Sequence, residues 1–196
     1  IFDFLQTNWF EIVAALLAIT YLLLAMLQDI RCWVAWIISS LMYLFVMYSA
    51  SLYMEALLQI FYIFIGFYGL YQWRYKSDLN EPLKITAWSV KNHSIVIGIL
   101  IFLTFVSGYI LTIYTAAASP FVDAFTTWGA IAASYLVAKK VLENWFYWFV
   151  IDLVSVFLFT SRELYPTAFL FVVYLVLVVF GYSTWRKSWQ HADEQN

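Results

Sequence analysis

Residues 143–153, with the sequence ENWFYWFVIDL, decide how the rest of this chain is interpreted. Beyond its first two residues the stretch is apolar except for one carboxylate, Asp152, and it contains Trp145 and Trp148. On a helix these three residues and Ser155 share one face, because they are separated by three or four positions. A carboxylate within a membrane span is costly, so it indicates a functional site. Aromatic faces beside an anion favour an organic cation as the ligand.

The composition places the chain in a membrane. Of its 196 residues, 65% are hydrophobic, 22% are aromatic and only 11% are charged. A soluble domain of this size has too little polar surface to cover so many apolar side chains, so we predict an all-α integral membrane protein. The net charge of -2 gives no indication of a nucleic-acid partner.

Sequence patterns for catalysis, cofactors and metals are absent. The chain has no HExxH, no GxSxG and no phosphate-binding glycine loop. The single cysteine, Cys32, excludes an internal disulfide and fits no metal-ligand pattern. His93 and His191 lie in a loop and in the tail, away from other candidate ligands. We therefore predict neither an enzyme nor a cofactor or metal site.

Seven apolar runs are long enough to cross a membrane as helices, which need about 20 residues each. They cover residues 9–27, 33–49, 54–73, 94–114, 121–138, 145–160 and 165–185. Each run is about twice the length that a membrane strand needs, so helices are predicted. The polar residues 186–196 are expected to form a frayed tail.

Basic residues are distributed asymmetrically between the two sides that seven spans define. The N-terminus and the loops after spans two, four and six contain one basic residue, Arg162. The opposite loops and the C-terminus contain nine lysines and arginines. Because positive residues concentrate on the cytoplasmic side, we predict an external N-terminus and a cytoplasmic C-terminus.

The chain contains an internal repeat, in which position 33 aligns with position 145. Between positions 33 and 74, the aligned sequence is identical at 13 of 42 positions without a gap. The biased composition alone would give on the order of four identities. Trp33 falls on Trp145, and Trp36 falls on Trp148. The first and fifth spans correspond more weakly.

The repeat predicts the order of domains. Residues 1–75 form a first three-helix repeat, 76–118 a loop and linking helix, 119–187 a second three-helix repeat, and 188–196 a cytoplasmic tail. Four spans separate equivalent helices, so the halves point in the same direction, as in parallel-repeat transporters. Such transporters bind their substrate near the membrane midplane between the repeats. Matched halves also favour a self-sufficient transporter over a binding subunit that needs an energising partner.

The strongly polar residues differ between the repeats, although the aromatic frame is shared. Asp152 corresponds to Ser40, and Gln59 corresponds to Phe171. At about 1.5 Å per residue, Asp152 lies roughly 10 to 12 Å inside its span, approaching the midplane. A solute with two chemically different ends would need this asymmetry. The candidate substrate-binding residues are Trp36, Glu55, Gln59, Tyr62, Asn144, Trp145, Trp148, Asp152, Ser155 and Tyr174.

Some of these aromatic and polar residues have simpler interpretations. Trp73 and Trp185 are predicted to anchor the chain at the membrane interface rather than to line a site. Trp145 could belong to the same aromatic belt, and Glu55 could be solvated near the outer surface. Asp152 could make a structural hydrogen bond to a neighbouring helix. The glycines of the third and seventh spans are predicted to permit close helix packing.

Three motifs resemble those of the Pnu-type vitamin transporters: ENWxxWxxxD at 143–152, LYxxxLLQxFY at 52–62 and YGxYxW at 68–73. The resemblance covers nearly the whole chain. It implies a SWEET-like architecture, commonly as a homotrimer, in the plasma (inner) membrane of a bacterium. It also implies facilitated diffusion of nicotinamide riboside, thiamine or riboflavin, which an intracellular kinase then traps. The implied site uses the sixth-span tryptophans, residue 152 and Gln59.

One position departs from this resemblance. The nicotinamide riboside transporters that share the motif usually carry asparagine where this chain has Asp152. A carboxylate makes charge-assisted hydrogen bonds that an amide does not, which favours a thiazolium or an aminopyrimidine. We therefore predict thiamine as the substrate, with nicotinamide riboside as the alternative and riboflavin less favoured.

Overall fold

The structure, a computed structural model, describes residues 2–49, 53–75, 83–115, 119–161 and 165–193. Within these ranges it leaves undescribed the side chains of residues 2–8, 11, 47, 49, 53–56, 165–167 and 192–193. The described residues form seven α-helices, as predicted. They are α1 (Phe2–Met26), α2 (Arg31–Ser49), α3 (Tyr53–Tyr75), α4 (Val90–Tyr114), α5 (Pro120–Ala138), α6 (Asn144–Ser161) and α7 (Tyr165–Asp193).

Four of the seven helices have the length and apolar character of membrane spans. Among the described residues, α4, α5, α6 and the Ala168–His191 part of α7 are long and apolar enough to cross a bilayer. Ile12–Met26 and Arg31–Val46 form shorter apolar helices. Isoleucine and phenylalanine side chains are exposed along nearly the whole of α4. Such a surface suits lipid rather than water, and the prediction of an all-α integral membrane protein is confirmed.

Local sequence explains where two of the helices begin. Ser89 precedes α4, and its hydroxyl accepts a hydrogen bond from the N–H of Asn92 at 3.4 Å. This satisfies one of the backbone donors that a helix start leaves without a partner. α5 has Pro120 in its first turn, where a missing N–H costs nothing.

The chain forms two compact units, residues 1–84 and 85–196. In the first unit, the central helix α2 packs against both α1 and α3. In the second, α4 packs on α5, α5 on α6, and α6 on α7. The predicted linking helix α4 therefore groups with the second repeat.

The first unit contains a cluster of one glycine and two tryptophans, here called the first tryptophan cluster (Trp33, Gly69 and Trp73). The rings of Trp33 and Trp73 meet edge to face, with centroids 5.5 Å apart and planes at 90°. A Cβ atom built on Gly69 would lie 2.4 Å from the Trp33 indole. Glycine at this position therefore lets α3 approach the ring closely.

The second unit repeats this arrangement at the aligned positions, in the second tryptophan cluster (Trp145, Gly181 and Trp185). Its two rings are 5.4 Å apart with planes at 89°. A Cβ on Gly181 would lie 2.4 Å from the indole of Trp145. The predicted packing role of these glycines is confirmed, and the sequence repeat is also a repeat of side-chain geometry.

The turn before each central helix has the same backbone hydrogen bonds. Gln28 has a φ of 57° and donates to the carbonyl of Ala25 at 3.0 Å, while Asp29 donates to Leu24 at 2.9 Å. Lys140, which aligns with Gln28 in the repeat, has a φ of 51°, and the same two bonds recur in its turn at 2.9 Å each. This is the Schellman pattern of a helix C-terminus with a left-handed residue. The repeat therefore extends back to the ends of α1 and α5.

Two predictions about the helix ends, and one alternative that the sequence left open, are wrong. Trp73 and Trp185 are only 6% and 0% exposed, so they are core residues of their clusters rather than interfacial anchors. Trp145, at 1% exposed, is also a core residue rather than a member of an aromatic belt. Of the predicted frayed tail 186–196, residues 186–193 continue α7, where the Ser188 hydroxyl donates to the carbonyl of Thr184. Residues 194–196 lie outside the described residues.

Candidate functional site

One face of α6 gathers most of the candidate residues. Asn144, Trp145, Ile151, Asp152 and Ser155 are the buried residues of this helix. At 100° per residue, four of them fall within about one third of the helix circumference, while Trp145 lies slightly further round. The predicted face of α6 is thus a buried face that contains a carboxylate, an amide and a hydroxyl.

Asp152 is buried without a compensating partner. Its exposed fraction is 3%, and no hydrogen bond or ion pair involves its carboxylate within the described part of the chain. The structural hydrogen bond to a neighbouring helix, considered from sequence, is therefore not found among the described residues. Burying an unpaired carboxylate destabilises a fold, so this residue is better explained by a ligand than by packing.

Other polar atoms on this part of α6 are also unsatisfied. The amide of Asn144 donates to the carbonyl of Val141 at 2.7 Å, but its Oδ1 is buried with no partner among the described residues. The buried indole N–H of Trp145 also has no described acceptor. Ser155 is 3% exposed, and no hydrogen bond of its hydroxyl is described. Most buried polar groups are hydrogen-bonded, so several open groups on one helix indicate a place that a polar ligand can occupy.

Trp148 lies one turn from both Asn144 and Asp152. Its side chain is half-buried, and its indole nitrogen makes no hydrogen bond to the described residues. Its ring is therefore less tightly packed than that of Trp145, which lies in the second tryptophan cluster. A ring with this freedom can stack on a cationic or aromatic ligand.

Tyr174 on α7 lies at the same level as Asp152. The antiparallel helices α6 and α7 are in register where Trp145 meets Gly181 and where the rings of Phe159 and Phe171 stack at 5.3 Å. Equal rise along both helices then puts Asp152 opposite the turn that contains Tyr174. The Tyr174 side chain is half-buried, and its ring contacts Phe171 edge to face at 5.7 Å.

The candidates in the first unit are arranged differently. The indole of Trp36 donates to the carbonyl of Tyr62 at 2.7 Å, and the two rings are 5.0 Å apart. Tyr21, which the sequence did not suggest, packs on Trp36 at 4.4 Å. Gln59 is half-buried with no hydrogen bond among the described residues. The side chain of Glu55 lies outside the described residues.

Comparison with known proteins decides the family. Residues 8–187 match the family model described as "Nicotinamide mononucleotide transporter". The chain belongs to this family of vitamin transporters. The Pnu-type resemblance is thereby confirmed, and the protein is a multi-pass membrane protein.

Relatives in this family are named for two different vitamins. The chain is 26% identical to the nicotinamide riboside transporter PnuC of Escherichia coli over 92% of this chain and 86% of the relative. It is also 26% identical to the riboflavin/roseoflavin transporter RibM of Streptomyces davaonensis, over 90% and 84%. The crystal structure of the vitamin B3 transporter PnuC matches with a TM-score of 0.78 and 26% identity, over 97% of this chain and 86% of that chain. Thiamine, our first prediction, gains no support from these relatives.

Proposed function

We propose that this chain carries nicotinamide riboside across the membrane by facilitated diffusion. The observation that carries a cationic substrate is the buried carboxylate of Asp152, which has no partner among the described residues and lies one turn from the half-buried ring of Trp148. Thiamine is also a cation, and the choice of nicotinamide riboside over it is supported by the relatives named for that vitamin. Nicotinamide riboside has a positively charged pyridinium ring at one end and a ribose with hydroxyl groups at the other. An anion beside an aromatic face complements the ring, and open polar groups complement the hydroxyls.

Each α6 residue has a distinct role in this proposal. Asp152 supplies the counter-charge to the pyridinium, and Trp148 stacks on it. The Ser155 hydroxyl, one turn beyond Asp152, hydrogen-bonds the ribose. Asn144 Oδ1, one turn before Trp148, accepts from the carboxamide N–H at the other end of the ligand, because about 16 Å of helix separates it from Ser155. Tyr174 offers a further ring at the level of the carboxylate. The first-unit candidates Trp36, Glu55, Gln59 and Tyr62, and the buried ring of Trp145, stay predictions that single substitutions can test.

The buried charged groups among the described residues also favour transport that needs no ion gradient. Among the side chains that the structure describes, Asp152 is the only buried acid. A proton or sodium relay ordinarily needs further ionisable groups at membrane depth. In liposomes containing the purified chain, internal nicotinamide riboside should therefore rise only to its external concentration. Accumulation above that level, driven by a proton or sodium gradient, would contradict facilitated diffusion.

A binding titration with three vitamins tests the choice of substrate. The purified chain is titrated with nicotinamide riboside, thiamine and riboflavin, and heat release gives each Kd. We expect the cationic nicotinamide riboside to bind most tightly and the uncharged riboflavin at least about tenfold more weakly, because riboflavin leaves Asp152 without a counter-charge. Tighter binding of thiamine or of riboflavin would replace the proposed substrate.

The biological setting is proposed on the family resemblance and the distribution of charge. We expect a homotrimer in the bacterial plasma membrane, with an external N-terminus and a cytoplasmic C-terminus. An intracellular vitamin kinase would trap the substrate after entry. Protease accessibility of a tag at each terminus in sealed vesicles tests the orientation.

A further inference from the structure

The segment before α4 is attached to the turn that leads into α6. Thr86 and Val141 form a parallel β-bridge. The N–H of Thr86 donates to the carbonyl of Lys140 at 3.0 Å, and the N–H of Leu142 donates to the carbonyl of Thr86 at 2.8 Å. Ile85, next to Thr86, is buried. Two backbone hydrogen bonds thus fix Thr86 beside the turn that leads into α6.

Side chains extend this attachment into the first turns of α4 and α6. The backbone N–H of Trp88 donates to Glu143 Oε2 at 3.2 Å. His93 Nδ1 lies 3.0 Å from the Tyr147 hydroxyl, and His93 Nε2 lies 3.7 Å from Glu143 Oε2. We call His93, Glu143 and Tyr147 the α4–α6 latch. It joins two helices that α5 separates.

The hydrogen bond of the latch is the one between His93 Nδ1 and the Tyr147 hydroxyl. An ionised carboxylate only accepts, and a neutral imidazole has one donor and one acceptor nitrogen. Depending on the tautomer, Nδ1 accepts from the Tyr147 hydroxyl or donates to it, and in either case the contact joins α4 to α6. Nε2 is buried with no hydrogen-bond partner among the described residues, since Glu143 Oε2 at 3.7 Å is near enough for an ionic contact but too far for a hydrogen bond.

The latch residues and the candidate site residues alternate along α6. Glu143 and Tyr147 are four positions apart and share one face of the helix. Asn144 and Trp148 are also four positions apart and lie about 100° further round. Any rotation of the first turns of α6 that loosens the latch therefore moves both site residues by the same angle.

We propose that His93 is a positioning residue for substrate binding, acting through Tyr147 and Glu143 on the rotation of α6. This rests on the proposed role of Trp148 and Asp152 in binding nicotinamide riboside. The first unit fixes its equivalent turn differently, with a local ion pair between Arg31 and Asp29 at 2.6 Å. The second unit, which contains the unpartnered carboxylate, has its turn held by the distant segment that precedes α4.

Substitutions separate the two polar contacts, or arms, of His93 in the latch: one with Tyr147 and one with Glu143. Asparagine at position 93 places an amide near the Nδ1 position and so keeps a partner for Tyr147, whereas leucine removes both polar arms. Tyr147→Phe removes only the hydroxyl. We expect His93→Leu and Tyr147→Phe each to weaken nicotinamide riboside binding about fivefold, the loss of one hydrogen bond. The affinity of His93→Asn should stay within about twofold of that of the unmodified chain. A double variant with both His93→Leu and Tyr147→Phe should lose no more affinity than either single variant.

A second measurement needs no substrate. Hydrogen–deuterium exchange of the backbone amides of residues 146–150 reports the opening of the first turns of α6. We expect Tyr147→Phe to raise exchange there about fivefold while the amides of α7 are unchanged. His191→Leu, a substitution of an exposed histidine near the end of α7, should change neither exchange at 146–150 nor affinity.

The outcomes distinguish the latch from the substrate proposal. If the unmodified chain fails to bind nicotinamide riboside, the proposed function fails, and the exchange measurement still tests the latch. If exchange is unchanged in both His93→Leu and Tyr147→Phe, the latch does not hold the first turns of α6. Faster exchange with unchanged affinity, in a chain that binds nicotinamide riboside, overturns the positioning role. If His93→Leu does not fold, Tyr147→Phe, which keeps the ring, decides the question.

Discussion

The two tryptophan clusters have almost the same internal geometry, with ring distances of 5.5 and 5.4 Å and interplanar angles of 90° and 89°. Two turns of helix beyond the buried tryptophan of each cluster, however, the first unit has Ser40 and the second has Asp152. Both side chains are buried, at 4% and 3% exposed. The repeat thus preserves the packing of aromatic rings while it changes the buried polar group. Packing requirements explain the shared part, and we propose that substrate chemistry explains the difference.

The largest effect on stability should come from disrupting the tryptophan clusters, which the two units share. Gly69→Ala and Gly181→Ala each place a Cβ 2.4 Å from a buried indole, which forces the helices apart. We expect each to cost about 1 to 3 kcal/mol of stability or more, in similar amounts. Thermal unfolding in detergent measures this loss.

Gly98→Ala is the matched control, because among the described residues nothing beyond the local backbone of α4 and the neighbouring residues lies within 4 Å of a Cβ at that position. It should leave the unfolding temperature unchanged or slightly raised, since alanine favours a helix more than glycine does. A loss at only one of the two clustered glycines would show that the clusters are not equivalent.

The next effect separates Trp148 from its counterpart Trp36. Trp148→Ala should weaken nicotinamide riboside binding by about 1 to 2 kcal/mol, roughly tenfold, if its ring stacks on the pyridinium. Trp36 is engaged by Tyr62 and Tyr21, so Trp36→Ala should mainly lower the unfolding temperature. Titration and thermal unfolding of both variants measure the contrast.

Trp9→Ala is the control for removing a tryptophan from the outer surface, because Trp9 is 57% exposed. Its affinity should match that of the unmodified chain. If Trp148→Ala also binds normally, Trp148 does not contact the substrate.

A smaller contrast compares two buried serines. Ser155 has no described hydrogen bond, so Ser155→Ala should keep the unfolding temperature and weaken binding about two- to fivefold through one lost contact to the ligand. The hydroxyl of Ser39 donates to the carbonyl of Ala14 at 2.8 Å. Ser39→Ala should therefore cost about 1 kcal/mol of stability and leave affinity unchanged. If Ser39→Ala weakened binding and Ser155→Ala lowered the unfolding temperature, the ligand contact would lie in the first unit and not in the second.

The smallest effect concerns the left-handed turn of the first unit. Gln28 has a φ of 57°, which glycine adopts without the clash that a Cβ causes. Gln28→Gly should stabilise the chain by about 0.5 kcal/mol after the greater flexibility of unfolded glycine is subtracted. A clear loss of stability in thermal unfolding would mean that the glutamine side chain contributes more than the turn geometry.

The sequence predicted the helices and the repeat because both depend on patterns that survive without tertiary information. Apolar run length defined the spans, and aligning the two halves found the positions that later proved to share the tryptophan geometry. The buried position of Asp152 followed from its place inside an apolar run. These features are set by the chain's own periodicity and by the cost of burying charge.

The sequence did not predict features that depend on which face of a helix meets another helix. Trp73 and Trp185 lie near the ends of apolar runs, as interfacial anchors do, and only the rings of Trp33 and Trp145 explain their burial. The contact of His93 with Tyr147 joins residues that are 54 positions apart, and no local pattern indicates it. The sequence signal for the two tryptophan clusters was the glycine on the helix that packs against each buried tryptophan, Gly69 and Gly181.

Asp152 is the residue on which the functional interpretation depends most, and Asp152→Leu tests it most directly. Leucine has a similar size and neither charge nor polar atoms. Replacing a buried, unpartnered carboxylate with it should keep or raise the unfolding temperature. Removing a charge-assisted contact should weaken nicotinamide riboside binding by about 1.5 to 3 kcal/mol, roughly ten- to a hundredfold or more. Asp152→Asn, which keeps hydrogen-bonding atoms, should fall between the two.

The decisive measurement is the Kd of nicotinamide riboside for the unmodified chain, Asp152→Asn and Asp152→Leu, each with its unfolding temperature. We predict affinity in that descending order while the unfolding temperature of Asp152→Leu does not fall. Equal affinity in all three proteins would show that Asp152 does not contact the substrate. A leucine variant that loses stability in proportion to its loss of binding would show that Asp152 supports the fold instead.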